Sequence, residues 1–138
     1  MQVWFFYGTL LDDQVFRAVT GRDLTCYRPR QATALSVVRV FLPGQSYPTL
    51  IGRTGAQTSG LICQGLPPSV LRRLVAYEGS DYQIRLVAVR RQDGKRLMAR
   101  TFVAHCSPSL AAKEWSPEIW AEQGRALTLK RIAVLGRP

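Results

Sequence analysis

The sequence predicts an α+β domain built on a mixed, barrel-like β-sheet with a few short helices. Three observations predict it. Strand-like apolar runs outnumber helical ones. The helical stretches lie between groups of strands. Near the middle of the second half, Asp93-Gly94 joins two extended runs, a strong hairpin signal. The 138 residues amount to one domain, residues 1–138. A chain of that length buries a core without metal or disulfide staples.

Each element has a local cause. Val3 to Tyr7 is apolar, aromatic and β-branched and reads as a buried first strand, broken by Gly8. Asp12 or Asp13 caps a short helix through about Thr20, with Val15, Phe16 and Val19 on one face and Gly21 as its stop. Ala32 to Leu42 reads as a long strand ended by Pro43-Gly44. Tyr47 to Ile51 is a short strand whose Pro48 marks an edge or an irregular start, and Ser59 to Gln64 is another. Pro67 to Tyr77 is a helix with prolines in its first turn and Val70, Leu71, Leu74 and Val75 as its apolar stripe. Gly79 terminates it. Tyr82 to Arg91 and Lys95 to Ala104 form the hairpin, and Ser116-Pro117 opens a last short helix through about Gln123.

Composition excludes several classes. No stretch approaches the ~18 consecutive apolar residues of a membrane helix. The apolar start is too short and lacks the basic flank of a signal peptide. A complete cytoplasmic protein is expected. The three cysteines, Cys26, Cys63 and Cys106, form no paired pattern and are expected to be small buried side chains. Zinc binding by these and His105 lacks ligand spacing. His105 and Cys106 are neighbours, and neighbours on a strand point to opposite faces, so they do not form a Cys–His pair. The aromatics Trp4, Trp115 and Trp120 are expected in packing. The net charge is +10, but the arginines are dispersed and no nucleic-acid motif occurs. Nucleic acid is therefore not expected as the main partner.

The acids are more informative. Between Asp23 and Glu78 there is no carboxylate, while Arg28, Arg30, Arg39, Arg53, Arg72 and Arg73 fall in that stretch. Glu78 sits at a helix C-terminus, where the dipole disfavours an anion. Such an acid is either well solvated or held near neutral. Directly after the first strand comes Tyr7-Gly8-Thr9-Leu10. Glycine there lets a ligand approach the main chain, and the following N–H groups can converge on an anion or a carbonyl oxygen.

Taken in order, these segments resemble the γ-glutamylcyclotransferase-like family, also called AIG2-like. The family shows a Tyr-Gly-Ser/Thr-Leu loop, a Tyr-Pro segment before a Gly-containing strand, a helix ending in Glu-Gly, and a nearby Tyr with Arg. Here these read Tyr7-Gly8-Thr9-Leu10, Tyr47-Pro48, Ser59-Gly60-Leu61, Tyr77-Glu78-Gly79, and Tyr82 with Arg85. The Asp93-Gly94 hairpin and the Phe102 strand also fit, so the resemblance covers about Val3 to Ala104. Two positions depart from it. Val75 replaces a frequent Asp, which bears on helix packing, and Arg85 stands slightly further from Tyr82 than is commonest.

The resemblance implies an enzyme that cyclises a small γ-glutamyl amine or peptide to 5-oxoproline and releases the amine, without metal or organic cofactor. Glu78 is the implied general acid/base. Tyr7, Gly8, Thr9, Leu10 and Tyr82 are the implied substrate-binding residues. The other reading is a non-catalytic module that keeps the pocket and meets a partner through its basic surface. For Glu78, burial and the helix terminus raise the pKa and arginines lower it. The sequence leaves that sign open.

Overall fold

A computed structural model describes residues 2–109 and 111–134. Strand β1, Val3–Phe6, is buried on both faces: Trp4 and Phe6 look one way, Phe5 and Tyr7 the other. It lies antiparallel to β3 (Pro48–Gln64), which pairs with β2 (Arg30–Phe41). The ladder continues through β4 (Tyr82–Arg91) and β5 (Arg96–Ala104). A single parallel contact, Trp4 opposite Arg100, closes β5 onto β1. The result is a closed barrel in the order β1-β3-β2-β4-β5. Its interior is filled by side chains that include Phe5, Tyr7, Ala34, Ile62 and Val89.

Four helices lie outside the barrel among the described residues: α1 (Asp13–Thr20), α2 (Pro68–Glu78), α3 (Pro117–Gln123) and α4 (Arg125–Val134). A second core joins them to β1. Trp4 and Phe6 meet Phe16 of α1, Val70 and Leu74 of α2, and Trp120 of α3. Full burial of each such side chain stabilises by ~1.5–3 kcal/mol. All three tryptophans are buried in this core. The capping of α1 is as the sequence indicates: the Asp12 carboxylate accepts from the N–H groups of Gln14 and Val15, and Gly21 ends the helix at φ +74°. Among the described residues no helix is long and apolar enough to cross a membrane.

Several expectations need correction. The two strands expected at Tyr47–Ile51 and Ser59–Gln64 are one 17-residue strand, β3. Its partner register jumps from Leu35–Gln57 to Val37–Gly52, so residues 53–56 bulge while pairing resumes on either side. Val75 is exposed rather than part of the buried stripe; Val70 and Leu74, four residues apart, take the buried face. Of the cysteines only Cys63 is buried. Cys26 sits on a 3-10 turn whose buried positions are taken by Leu24 and Tyr27, and Cys106 follows the end of β5. A further helix, α4, follows the one expected at Ser116–Gln123.

Gly60 explains why β3 needs glycine inside it. A Cβ there would lie 2.3 Å from the Phe6 carbonyl oxygen and 2.7 Å from the Phe5 ring. The closeness lets β1 lie flat on β3, and β1 carries the loop that follows.

Candidate active site

After β1 the chain turns at Gly8 into a 3-10 turn, Thr9–Leu11. Gly8 has φ −117°, so the left-handed region does not require glycine here. Space does: a Cβ would stand 3.1 Å from Pro48 Cγ. The Tyr-Gly and Tyr-Pro segments thus meet face to face. The N–H groups of Gly8, Thr9 and Leu10 precede the first hydrogen bonds of the turn, which start at Leu11 and Asp12. No acceptor among the described residues takes them up.

Glu78 is the last residue of α2. Gly79 follows at φ +78°, a conformation that side chains resist, and its N–H bonds the Val75 carbonyl at 3.0 Å. This ends the helix and turns the chain away directly after the acid. The hydroxyl of Tyr77 and Oγ1 of Thr9 are 2.7 Å apart. That bond ties the residue before Glu78 to the residue after Gly8, across 68 positions of sequence.

These parts line one cavity of about 440 Å³. Every residue expected at the site is on its wall: Tyr7, Gly8, Thr9, Leu10, Glu78 and Tyr82. Arg85 is not; it is exposed on β4. His105 and Cys106 are exposed and outside it. Glu78 keeps part of its surface open, but its carboxyl group is desolvated, which pushes its pKa up to about 8. No arginine offsets this, and Glu78 has no ion-pair partner among the described residues. Burial first, and then the charge of Glu78, raises the phenols of Tyr7 and Tyr82 above their ordinary value.

The tyrosine hydroxyls are already committed as donors. Tyr7 Oη donates to the Phe102 carbonyl, and Tyr82 Oη donates to the Pro48 carbonyl at 2.8 Å. The Tyr7 oxygen in turn accepts from the Thr49 hydroxyl and the Leu50 N–H, so it is Tyr82 whose lone pairs are left as acceptors, suited to an ammonium rather than a carboxylate. Tyr47 leans on Tyr82 with ring centres 6.4 Å apart.

One positioning residue carries no distinguishing signal in the sequence. Arg39 of β2 donates from Nη1 to the carbonyls of Tyr7 at 2.8 Å and Ser59 at 3.2 Å. Its Nε donates to the Trp115 carbonyl, and its guanidinium lies 5.4 Å from the Trp115 ring centre. The start of the loop is therefore pinned from behind. In sequence Arg39 is one arginine among six; only its carbonyl partners distinguish it. Tyr77, Arg73, Thr101 and residues of α4 also line the cavity. For Tyr77 a signal existed, since it adjoins the acid on a terminal helical turn.

Comparison with known proteins agrees with this architecture. The model of the family described as "Gamma-glutamyl cyclotransferase, AIG2-like" matches residues 4–120. AIG2-like protein A of Arabidopsis thaliana is 27% identical over 119 residues, covering 84% of this chain and 70% of that protein. A solution structure of an Arabidopsis thaliana protein superposes with a TM-score of 0.70 at 20% identity, covering 97% of this chain and 81% of the other. A structure titled gamma-glutamyl cyclotransferase gives 0.60 at 16% identity, covering 99% and 89%. An AIG2-like protein from Mus musculus gives 0.62 at 20% identity, covering 83% and 85%. These likenesses show the fold, and the family match spans most of the chain. The chain belongs to the AIG2-like gamma-glutamyl cyclotransferase family.

Proposed function

We propose that this protein is a γ-glutamylcyclotransferase that converts a γ-glutamyl amine or peptide to 5-oxoproline and a free amine. The observation that carries the reading is a desolvated carboxyl group, Glu78, on the wall of the same cavity as three unpartnered loop amides.

The reaction joins the two ends of one molecule. The α-amino nitrogen attacks the γ-carbonyl carbon, a five-membered ring closes, and the bond from that carbon to the departing nitrogen breaks. A proton passes from the attacking nitrogen to the leaving one. No water is consumed. Free glutamate titrates near ~4.3 and an α-amino group near ~7.7–8.0. A carboxyl at about 8 is matched to that amine, so proton transfer in either direction is close to thermoneutral. Glu78 then serves as base toward the attacking nitrogen and as acid toward the departing one.

Holding the substrate folded matters more than the proton. Well-oriented intramolecular attack is worth ~7–11 kcal/mol of barrier, against ~10²–10⁴-fold for acid–base help. The amides of Gly8, Thr9 and Leu10 are assigned to the substrate's carboxylate and to the oxygen that gains charge. A preorganised donor at such an oxygen contributes ~2.7–4 kcal/mol. The phenolic oxygen of Tyr82 accepts from the amino group, and Tyr7 walls the pocket. The test is 5-oxoproline release from a panel of γ-glutamyl amines and dipeptides by the wild-type protein and Glu78→Gln. Turnover that survives this change in a folded protein removes Glu78 from the mechanism. No release from any compound favours a binding module.

A further inference from the structure

The barrel wall is not covered all the way round. Along β4 and β5, Val87, Val89 and Ala99 belong to the barrel interior, so Leu86 and Arg90, and across from them Arg96, Met98 and Arg100, point outward. Further along this outer face Phe102 is buried against Trp4, with ring centres 5.3 Å apart, in the core shared with the helices. The helical cover stops there. Leu86 is 63% exposed, Met98 54% and Ile84 44%. Met98 stands diagonal to Leu86 across the ladder, and Ile84 lies two residues along the strand from it, so the three side chains are within reach of one another. Single exposed apolar residues need no explanation, whereas a group of them on one sheet face marks an interaction site.

The charges on this face are of one sign. No strand of the barrel contains an Asp or a Glu; the carboxylates lie in helices, turns and loops. Arg90 and Arg96 are directly opposed across the ladder, and Arg100 is opposed to Leu86. None of the three has an ion-pair partner among the described residues. Asp93, at the hairpin tip, is taken by Arg91. Like charges directly opposite destabilise a sheet, and no carboxylate within ion-pair distance relieves this pair.

We propose that the outer face of the β4–β5 hairpin docks an acidic amphipathic helix of a partner protein, its apolar side on Leu86, Met98 and Ile84 and its carboxylates on Arg96 and Arg100. A helix laid on a sheet is the layering that covers the rest of this barrel. Arg96 and Arg100 are about 13 Å apart along the strand, and two helical turns rise about 11 Å, so carboxylates two turns apart reach both. Methionine and arginine are enriched at protein interfaces. A second copy of this chain would set arginine against arginine. Single-stranded nucleic acid needs rings on which bases stack, and the phenylalanine of this face, Phe102, is buried. The hairpin tip, Gln92 to Lys95, is polar, so no apolar point leads into a bilayer. The docking face is separate from the cyclisation proposed above, since none of its six residues lines the cavity of Glu78.

The test uses the full chain and a labelled synthetic helix of ~20 residues, leucine on one side and glutamate on the other, followed by fluorescence anisotropy. The protein variants are Leu86→Ser with Met98→Ser, and Arg96→Glu with Arg100→Glu. All four positions are exposed, so the fold is spared, which thermal melts check. The peptide is expected to bind the wild type and to lose ~10-fold or more in affinity with each variant. Glutamine in place of glutamate should weaken binding as much, and added salt should weaken the wild-type complex. A lysine version should bind the Arg96→Glu, Arg100→Glu protein and not the wild type. No binding of the glutamate peptide, or equal binding by wild type and variants, overturns the proposal. So does tighter binding to phosphatidylglycerol vesicles or to an oligothymidylate that is lost in the same variants, which gives the face to a membrane or a nucleic acid. A dimer in sedimentation that the serine variant abolishes overturns it too, giving the face to a second copy.

Discussion

Replacing Glu78 by Gln should inactivate the protein and, at alkaline pH, stabilise it. In the folded chain burial lifts the carboxyl to about 8 from an ordinary 4.5. Between those values the folded state holds a proton that the unfolded state has released. Stability therefore falls as pH rises through this window, by at most ~1.4 kcal/mol per pH unit. Over the full interval the loss approaches ~5 kcal/mol. Part of Glu78 stays open to the cavity, so we expect ~2–4 kcal/mol. Glutamine cannot ionise and escapes the loss. Urea unfolding of both proteins at pH 4, 6 and 9 reads the effect. The two should agree at pH 4, and the variant should be the more stable at pH 9. In parallel, turnover should fall ~10²–10⁴-fold. The wild-type kcat/KM should rise with pH along a limb near 8. Parallel stability profiles, or an acid limb near pH 4.5, would refute the claim that the carboxyl is desolvated.

Three further changes probe the loop. Gly8→Ala places a Cβ 3.1 Å from Pro48 Cγ, so the turn or the proline ring must give by a few tenths of an ångström; turnover should drop by ~10-fold or more with a small change in Tm, seen by paired kinetics and thermal melts. Tyr77→Phe removes the bond to Thr9 Oγ1; a stability loss of ~0.5–1.5 kcal/mol with a larger relative loss in kcat is expected, and an unchanged kcat would show that the bond does not position the acid. Arg39→Met leaves the carbonyls of Tyr7, Ser59 and Trp115 without their guanidinium donor; ~2–4 kcal/mol of stability should go in urea unfolding, with KM raised because the amides lose their anchor.

What could be read from the sequence was local. Asp12, Gly21 and Gly79 mark helix ends because caps depend on a few neighbouring backbone groups. Glu78 stood out through its isolation among basic residues and its place before a glycine. The direction of its pKa did not, because that depends on whether any arginine reaches it through space, and none does. The continuity of β3 was hidden because the segment Gly52 to Ala56 has no strand pattern of its own; pairing with β2 on both sides holds it. For Gly8 the sequence suggests room for a ligand beside the main chain; the crowding that the structure shows there comes from Pro48, forty positions away. Helix α4 has good helix formers, Ala126, Leu127, Leu129 and Lys130. It lacks a fully buried stripe, and it is held by Leu129 and Ile132 against the core and by Arg125 reaching Asp12, contacts that no window of sequence contains.

The interruption in β3 separates two tasks along one strand. Pro48, at its start, backs the turn at Gly8, while Gly60 and Leu61, near its end, seat β1. Between them residues 53–55 are exposed and fall in the register shift, and the ladder on each flank keeps its own register. Chain length can therefore vary at this point without moving either end of the strand. A reporter peptide or an affinity tag spliced in here is expected to leave the cavity between Gly8 and Glu78 undisturbed.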